Sequence, residues 1–171
     1  TLARFGTVGS RKADDMQSQQ RATRSRTRVA VVTDSAADLP DDALEQLPLH
    51  LVPVRLNFGD RDYLDKVSLS PSEFFRELRS NPVLPRTSQP PPGDFRRLFD
   101  FLLSHHEEVV YVGLSRAVRG TLQSGESAAG RCDRNRVHVI DSRTASCGQG
   151  LLSRRAAELG VSGRELLDHV D

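Results

Sequence analysis

The feature that most constrains this chain is a short, wholly apolar run that stops on a hydrophilic pair: Val29-Ala-Val-Val-Thr33, then Asp34-Ser35. A β-branched run without polar alternation reads as a strand buried on both faces, and such strands belong to parallel sheets covered by helices on each side. Leu49–Phe58, Glu108–Leu114 and Arg136–Ile140 repeat the pattern, so four such strands are expected. Helix signals lie between them. Ser70-Pro71-Ser72-Glu73 has the form of a capping box with proline at the first helical position, starting a helix through Phe74, Phe75 and Leu78. Phe95, Leu98, Phe99 and Leu102 recur on one helical face. Further helices are expected near Gly120, near Gly148 and behind Ser162–Glu165. Strands alternating with helices of this length predict an α/β domain of three layers around a mainly parallel sheet.

The 171 residues suit one domain with a real core. Residues 1–27 are polar and rich in Gln, Ser, Thr and Arg, without apolar periodicity, and are expected to form a disordered tail or interdomain linker. Order is expected from residue 28. Twenty-four basic residues against 23 acidic ones, a net charge of +1, argue against a dedicated nucleic-acid or membrane-surface protein. The tail is more basic, with Arg4, Arg11, Lys12, Arg21, Arg24 and Arg26 against Asp14 and Asp15, so nucleic-acid contact there stays a weaker reading. Cys132 and Cys147 lack the spacing of a zinc site or a disulfide framework, which favours a reducing, cytoplasmic setting. No apolar run approaches the ~20 residues that span a bilayer.

In open parallel sheets, ligands bind beyond the carboxyl ends of the strands, where loops lead into helix N-termini. The first strand ends at Thr33-Asp34-Ser35, the third at Leu114-Ser115 followed by Arg116–Thr121, and the fourth at Asp141-Ser142. Arg86-Thr87-Ser88-Gln89 precedes three successive prolines, and hydroxyls on so stiff a loop lose little entropy on binding an anionic oxygen. Arg119-Gly120-Thr121 adds a close backbone approach and a helix start. Two readings stay open from spacing alone: an oxyanion pocket, or hydroxyls that merely cap turns and helices. Asp65 and Asp141 are expected to cap loops, and His105-His106 to close the helix through Phe95. There is no Gly-x-Ser-x-Gly elbow and no phosphate-binding P-loop, so no catalytic or metal-binding residues are assigned.

Val31-Val-Thr-Asp-Ser-Ala-Ala-Asp-Leu-Pro40, Val52-Pro53 with Asp65, Thr87-Ser-Gln-Pro90, Gly120-Thr121 with Gln123-Ser124, and Ile140-Asp-Ser142 with Gly148 resemble, in order, the signature of the DegV family. The resemblance covers residues 28–171 and corresponds in length to about the first half of a member. It implies a fold shared with dihydroxyacetone kinase subunits, and the first lobe of a two-lobe protein, incomplete at its C-terminal end, whose second lobe closes over the ligand. It implies a non-catalytic carrier, without other cofactors, that holds one long-chain fatty acid and presents it to a separate, ATP-using kinase subunit. Thr87 would contact the carboxylate, with Ser88 and Gln89 shaping the loop and Gly120 and Thr121 lining the head pocket; Ser88, Gln89, Arg119 and, at the first strand's rim, Asp34 and Ser35 are expected among the ligand-binding residues.

This chain departs from the family at Arg119, where Ser-Gly-Thr is usual, and more mildly at Leu122, where an aromatic is frequent. An arginine at that position either pairs bidentately with a carboxylate or phosphate, or fills the pocket or faces solvent, with the head-group preference changed. The alternative reading is an acceptor lobe of a fused kinase-like protein, with residues 1–27 as the junction and an altered anionic ligand.

Overall fold

The computed structural model describes residues 28–160. In chain order the elements are β1 (Val29–Asp34), α1 (Asp41–Gln46), β2 (Leu49–Val52), β3 (Arg55–Phe58), β4 (Arg61–Leu64) and α2 (Pro71–Ser80). They continue with β5 (Arg86–Ser88), α3 (Pro92–Leu103), β6 (Glu108–Gly113), α4 (Thr121–Ala129), β7 (Val137–Asp141) and α5 (Cys147–Leu159). The tail at 1–27 and the helix expected behind Ser162 lie outside the described residues.

The main sheet runs β2-β1-β6-β7 with every pairing parallel. All six residues of β1 are buried, as its unbroken apolar run demands. Val29 and Val31 pack with Leu49, Val110, Val112 and Ile140 beneath α1 and α5. Ala30 and Val32 point the other way, toward Phe95, Phe99 and Leu102 of α3 and Leu122 and Ala128 of α4. This is the expected three-layer domain. Helices on its two faces fit differently. The side from α3 carries aromatics, whereas α5 approaches through Gly150, Ser153, Ala156 and Ala157. A Cβ at Gly150 would stand 2.3 Å from the Ala37 carbonyl oxygen, so only glycine permits that approach.

The expected strand at 49–58 is two strands. Pro53 has no N–H to donate, the parallel ladder ends at the Asp34–Val52 pair, and the chain leaves the sheet there. β3 then becomes the centre of a second, antiparallel sheet, β4-β3-β5, which the apolar pattern did not announce. Gly59, at φ 67°, begins the two-residue turn that pairs Phe58 with Arg61. Leu56, Phe58 and Leu69 form a small core of their own, packed by Tyr63 and Phe74 of α2. The capping box at α2 is complete: the Ser70 hydroxyl accepts from the Glu73 N–H at 3.3 Å, and the Glu73 carboxylate accepts from the Ser70 N–H at 2.9 Å. Residues 53–91 thus form a module inserted between β2 and α3, over the carboxyl rim of the main sheet. Among the described residues no helix is long and apolar enough to cross a membrane.

Candidate functional site

Asp34, expected at the ligand, is instead the brace of the rim. It is wholly buried at the end of β1. One oxygen accepts from the Tyr111 hydroxyl at 2.9 Å, the Leu114 N–H at 3.1 Å and the Gln149 amide at 3.1 Å, and the other from the Ala36 N–H at 3.2 Å. Burial pushes this carboxyl above its ordinary range, against the pull of those donors, and pushes the Tyr111 phenol higher too. With its acceptor sites filled and no exposed surface, Asp34 ties the loops after β1 and β6 to α5 and leaves ligand contact to others. Ser35 is likewise committed: its buried hydroxyl accepts from the Val54 N–H at 3.0 Å and guides the chain into β3. Sequence alone reads both as rim hydroxyl and carboxylate; burial decides their role.

Above that brace lies a cleft of about 340 Å³ between the rim and the inserted module. Such a volume is at the small end of ligand sites. Its apolar walls are Val54, Leu56, Phe74, Phe75 and Leu114, and its polar side is Thr87, Gln89, Arg119 and Thr121. The Thr87-Ser88-Gln89 segment and the start of α4 therefore meet in one space, as the oxyanion reading requires. Pairing with β3 aims Thr87. It lies opposite Leu56, and both line the cleft. Ser88 pairs with Arg55 and, by the alternation of a strand, lies over a separate groove with Asn57 and Asp62, so its expected place beside the ligand is corrected. Gly120 gives up its side chain to Gln89: a Cβ there would meet the Gln89 Oε1 at 2.4 Å. Thr121, the first residue of α4, is nearly buried at the cleft wall.

Arg119 stands exposed at the edge of the cleft and turns its guanidinium onto the module opposite. Its Nη1 donates to the Thr87 carbonyl oxygen at 3.1 Å and to the Thr87 hydroxyl, linking the loop before α4 to β5 across the mouth. The Thr87 hydroxyl accepts in that bond and keeps its own proton for a ligand oxygen. Asp38, Asp65 and Lys66 also line the cleft; Asp38 falls within the first motif of the family signature, whereas Lys66 carried no signal in the sequence pattern. Lys66 pairs with Asp38 at 3.6 Å. Asp65 donates its backbone N–H to the Val54 carbonyl at 2.9 Å, while Asp141 caps its loop as expected, accepting from the Arg143 N–H at 2.9 Å.

Hydroxyl, amide and guanidinium donors at one end of an apolar cleft suit an amphipathic molecule with an anionic oxygen head. No histidine or cysteine lines it. Among the described residues no cluster of His, Cys, Asp and Glu has the makings of a metal site.

Comparison with known proteins places the chain in a family. The model for DegV, described as an uncharacterised protein family, matches residues 28–170. A DegV domain-containing protein of Caldanaerobacter subterraneus is 35% identical over 136 residues, which are 80% of this chain and 48% of that protein. Among solved structures, a fatty-acid-binding DegV family protein from Thermus thermophilus superposes with a TM-score of 0.74 at 34% identity, over 84% of this chain and 52% of that one. DegV of Bacillus subtilis, described as a fatty acid binding protein, gives 0.77 at 30% identity over the same shares. This chain spans about half the length of the relatives it matches. From its first strand to its last described helix, the chain belongs to the DegV family.

Proposed function

We propose that this lobe binds the carboxylate end of a long-chain fatty acid and acts as a carrier without chemistry of its own. The observation that carries this is the single cleft in which Thr87, Gln89, Arg119 and Thr121 converge at the edge of apolar Leu56, Phe74 and Leu114. The Thermus and Bacillus relatives, described as binding fatty acids, support it. In this reading the Thr87 and Thr121 hydroxyls donate to the carboxylate and the Arg119 guanidinium supplies its charge partner. A charge-assisted hydrogen bond contributes roughly 1.5–3 kcal/mol. Burial of a long acyl chain at about 0.8 kcal/mol per methylene reaches on the order of 10 kcal/mol before ordering costs. The tail therefore supplies affinity and the polar residues supply orientation. Since the cleft is small for an entire tail, this lobe alone is expected to bind weakly.

Delivery of the acid to an ATP-using kinase domain or subunit extends the same reading and rests on family membership. A cytoplasmic site of action fits Cys132 and Cys147, both free thiols. Arginine on Thr87 favours a strongly anionic head over a neutral one, so methyl esters and alcohols should bind worse than the free acid. The test is extraction and mass analysis of lipid co-purifying with the protein, repeated for Thr87→Ala and Arg119→Ser. Lower occupancy in both variants is expected; unchanged occupancy in both removes these residues from the site and ends the proposal.

A further inference from the structure

Among the described residues the inserted module shares no apolar cluster with the main domain. Two proline-bearing crossings join it, at Pro53 and at Pro90–Pro92; the Val54 N–H donates to the Ser35 hydroxyl across the seam, and among the described residues three bridges from basic side chains also span it. Arg55 reaches Asp94 at 3.0 Å, Arg119 reaches Thr87, and Lys66 reaches Asp38 at 3.6 Å. The third is built differently. The Lys66 side chain is only 16% exposed, low for a lysine. Lys66 stands at φ 60° and Asp38 at φ 47°, and the Ser146 hydroxyl, on a residue at φ 55°, donates to Asp38 at 2.7 Å. Three of the four non-glycine residues with positive φ among the described residues are thus joined side chain to side chain at the edge of the cleft. L-residues seldom adopt that conformation, and it persists where surrounding contacts over-determine it, commonly beside ligands.

We propose that Lys66 is a positioning residue: its ammonium clasps Asp38, which Ser146 braces, and so holds Thr87 of the module in register with Thr121 of the main domain. This rests on the binding role assigned above to Thr87, although the clasp itself needs no ligand. Arg119 and Lys66 then divide the work. Arg119 grips the same threonine hydroxyl that the ligand engages, so its hold adjusts when the cleft fills. Lys66 already has a carboxylate partner, which would repel an acidic head, so its hold is the same in the empty and the filled protein. The clasp sets how often the module opens and hence how quickly a ligand leaves.

Three substitutions test this. Lys66→Met keeps the stem and removes the charge, Lys66→Arg restores a cation, and Lys66→Gly removes the clasp while relieving the backbone. In the ligand-free protein, hydrogen exchange at Leu56 and Thr87 should accelerate roughly threefold to tenfold in the Met and Gly variants, and stay near wild type with Arg. Release of the fluorescent fatty acid cis-parinaric acid should accelerate to a similar extent. The Gly variant should nonetheless melt at or above the wild-type temperature, because its strain is gone; a contact that merely stabilised the fold would move melting and exchange together. Unchanged exchange in the Met and Gly variants overturns the proposal, as does a Gly variant whose melting temperature falls in step with faster exchange. If wild-type protein fails to take up cis-parinaric acid, the fatty-acid reading falls, and the exchange comparison still decides the clasp.

Discussion

The main sheet and the inserted sheet solve the same problem in opposite ways. β1 and β6 are buried along almost their whole length, with helices on each face. β3, β4 and β5 are three or four residues long, alternate or lie open to solvent, and enclose a core of Leu56, Phe58 and Leu69. One region is held by dense apolar packing, the other by hydrogen bonds, ion pairs and a small cluster. Local opening free energies follow buried apolar contact, so the inserted sheet should open well before the main one. The cleft lies along their seam and has one fixed wall and one adjustable wall. Thr121 belongs to the first and Thr87 to the second, which explains why bridges such as Arg119 to Thr87 are needed at all.

That contrast can be broken most forcefully by cutting each core in turn. Phe99→Ala, under α3, should cost about 3–5 kcal/mol in urea denaturation and weaken exchange protection in both sheets. Phe58→Ala removes an equally buried ring, yet should accelerate exchange in β3, β5 and α2 while β1 and β6 stay protected. Equal loss of protection in all four strands would mean the two sheets are one cooperative unit. A smaller effect is expected at α2. Ser70→Ala removes its N-cap and should cost about 1 kcal/mol, confined to the module and read as exchange in α2 without a shift in the main transition. The smallest effect belongs to the main sheet alone. Burial, reinforced by His106, holds His50 below its ordinary value of 6.5, so its neutral form is the one the fold prefers. Stability from that preference is complete above pH 6.5 and declines as pH falls through 6.5 toward the lowered folded value. The melting temperature should drop over that window, and His50→Gln should flatten the drop; an unchanged slope would show that other groups set it.

Which parts were legible in advance follows the same division. Val29–Thr33, Glu108–Leu114 and the Phe95 stripe announced the three layers because elements buried on both faces, or along one stripe, must carry continuous or periodic apolar residues. Strands β4 and β5 and helix α1 carried no such mark, being short and mostly polar, and the strand expected at 49–58 hid a break at Pro53. At the candidate site, Thr87, Gln89 and Thr121 were singled out through hydroxyl-bearing loops and the family resemblance, and all three line the cleft. Ser88 was misplaced because alternation on β5 shows only once the strand is recognised. Asp34 was misplaced because a carboxylate after an apolar strand looks the same whether it meets ligand or four internal donors.

The amino-acid order by itself settled the layered α/β architecture, the helix starts near Ser70, Gly120 and Gly148, and the loops from which a site would be drawn. Those properties are local: apolar periodicity, caps and prolines act within a few residues. Tertiary structure alone decided that Asp34 braces the rim, that Arg119 grips Thr87, and that Lys66 meets Asp38 with Ser146 behind it. Each of these joins residues 28 to 115 positions apart, or turns on burial, and no short-range pattern encodes which distant partner completes a hydrogen bond.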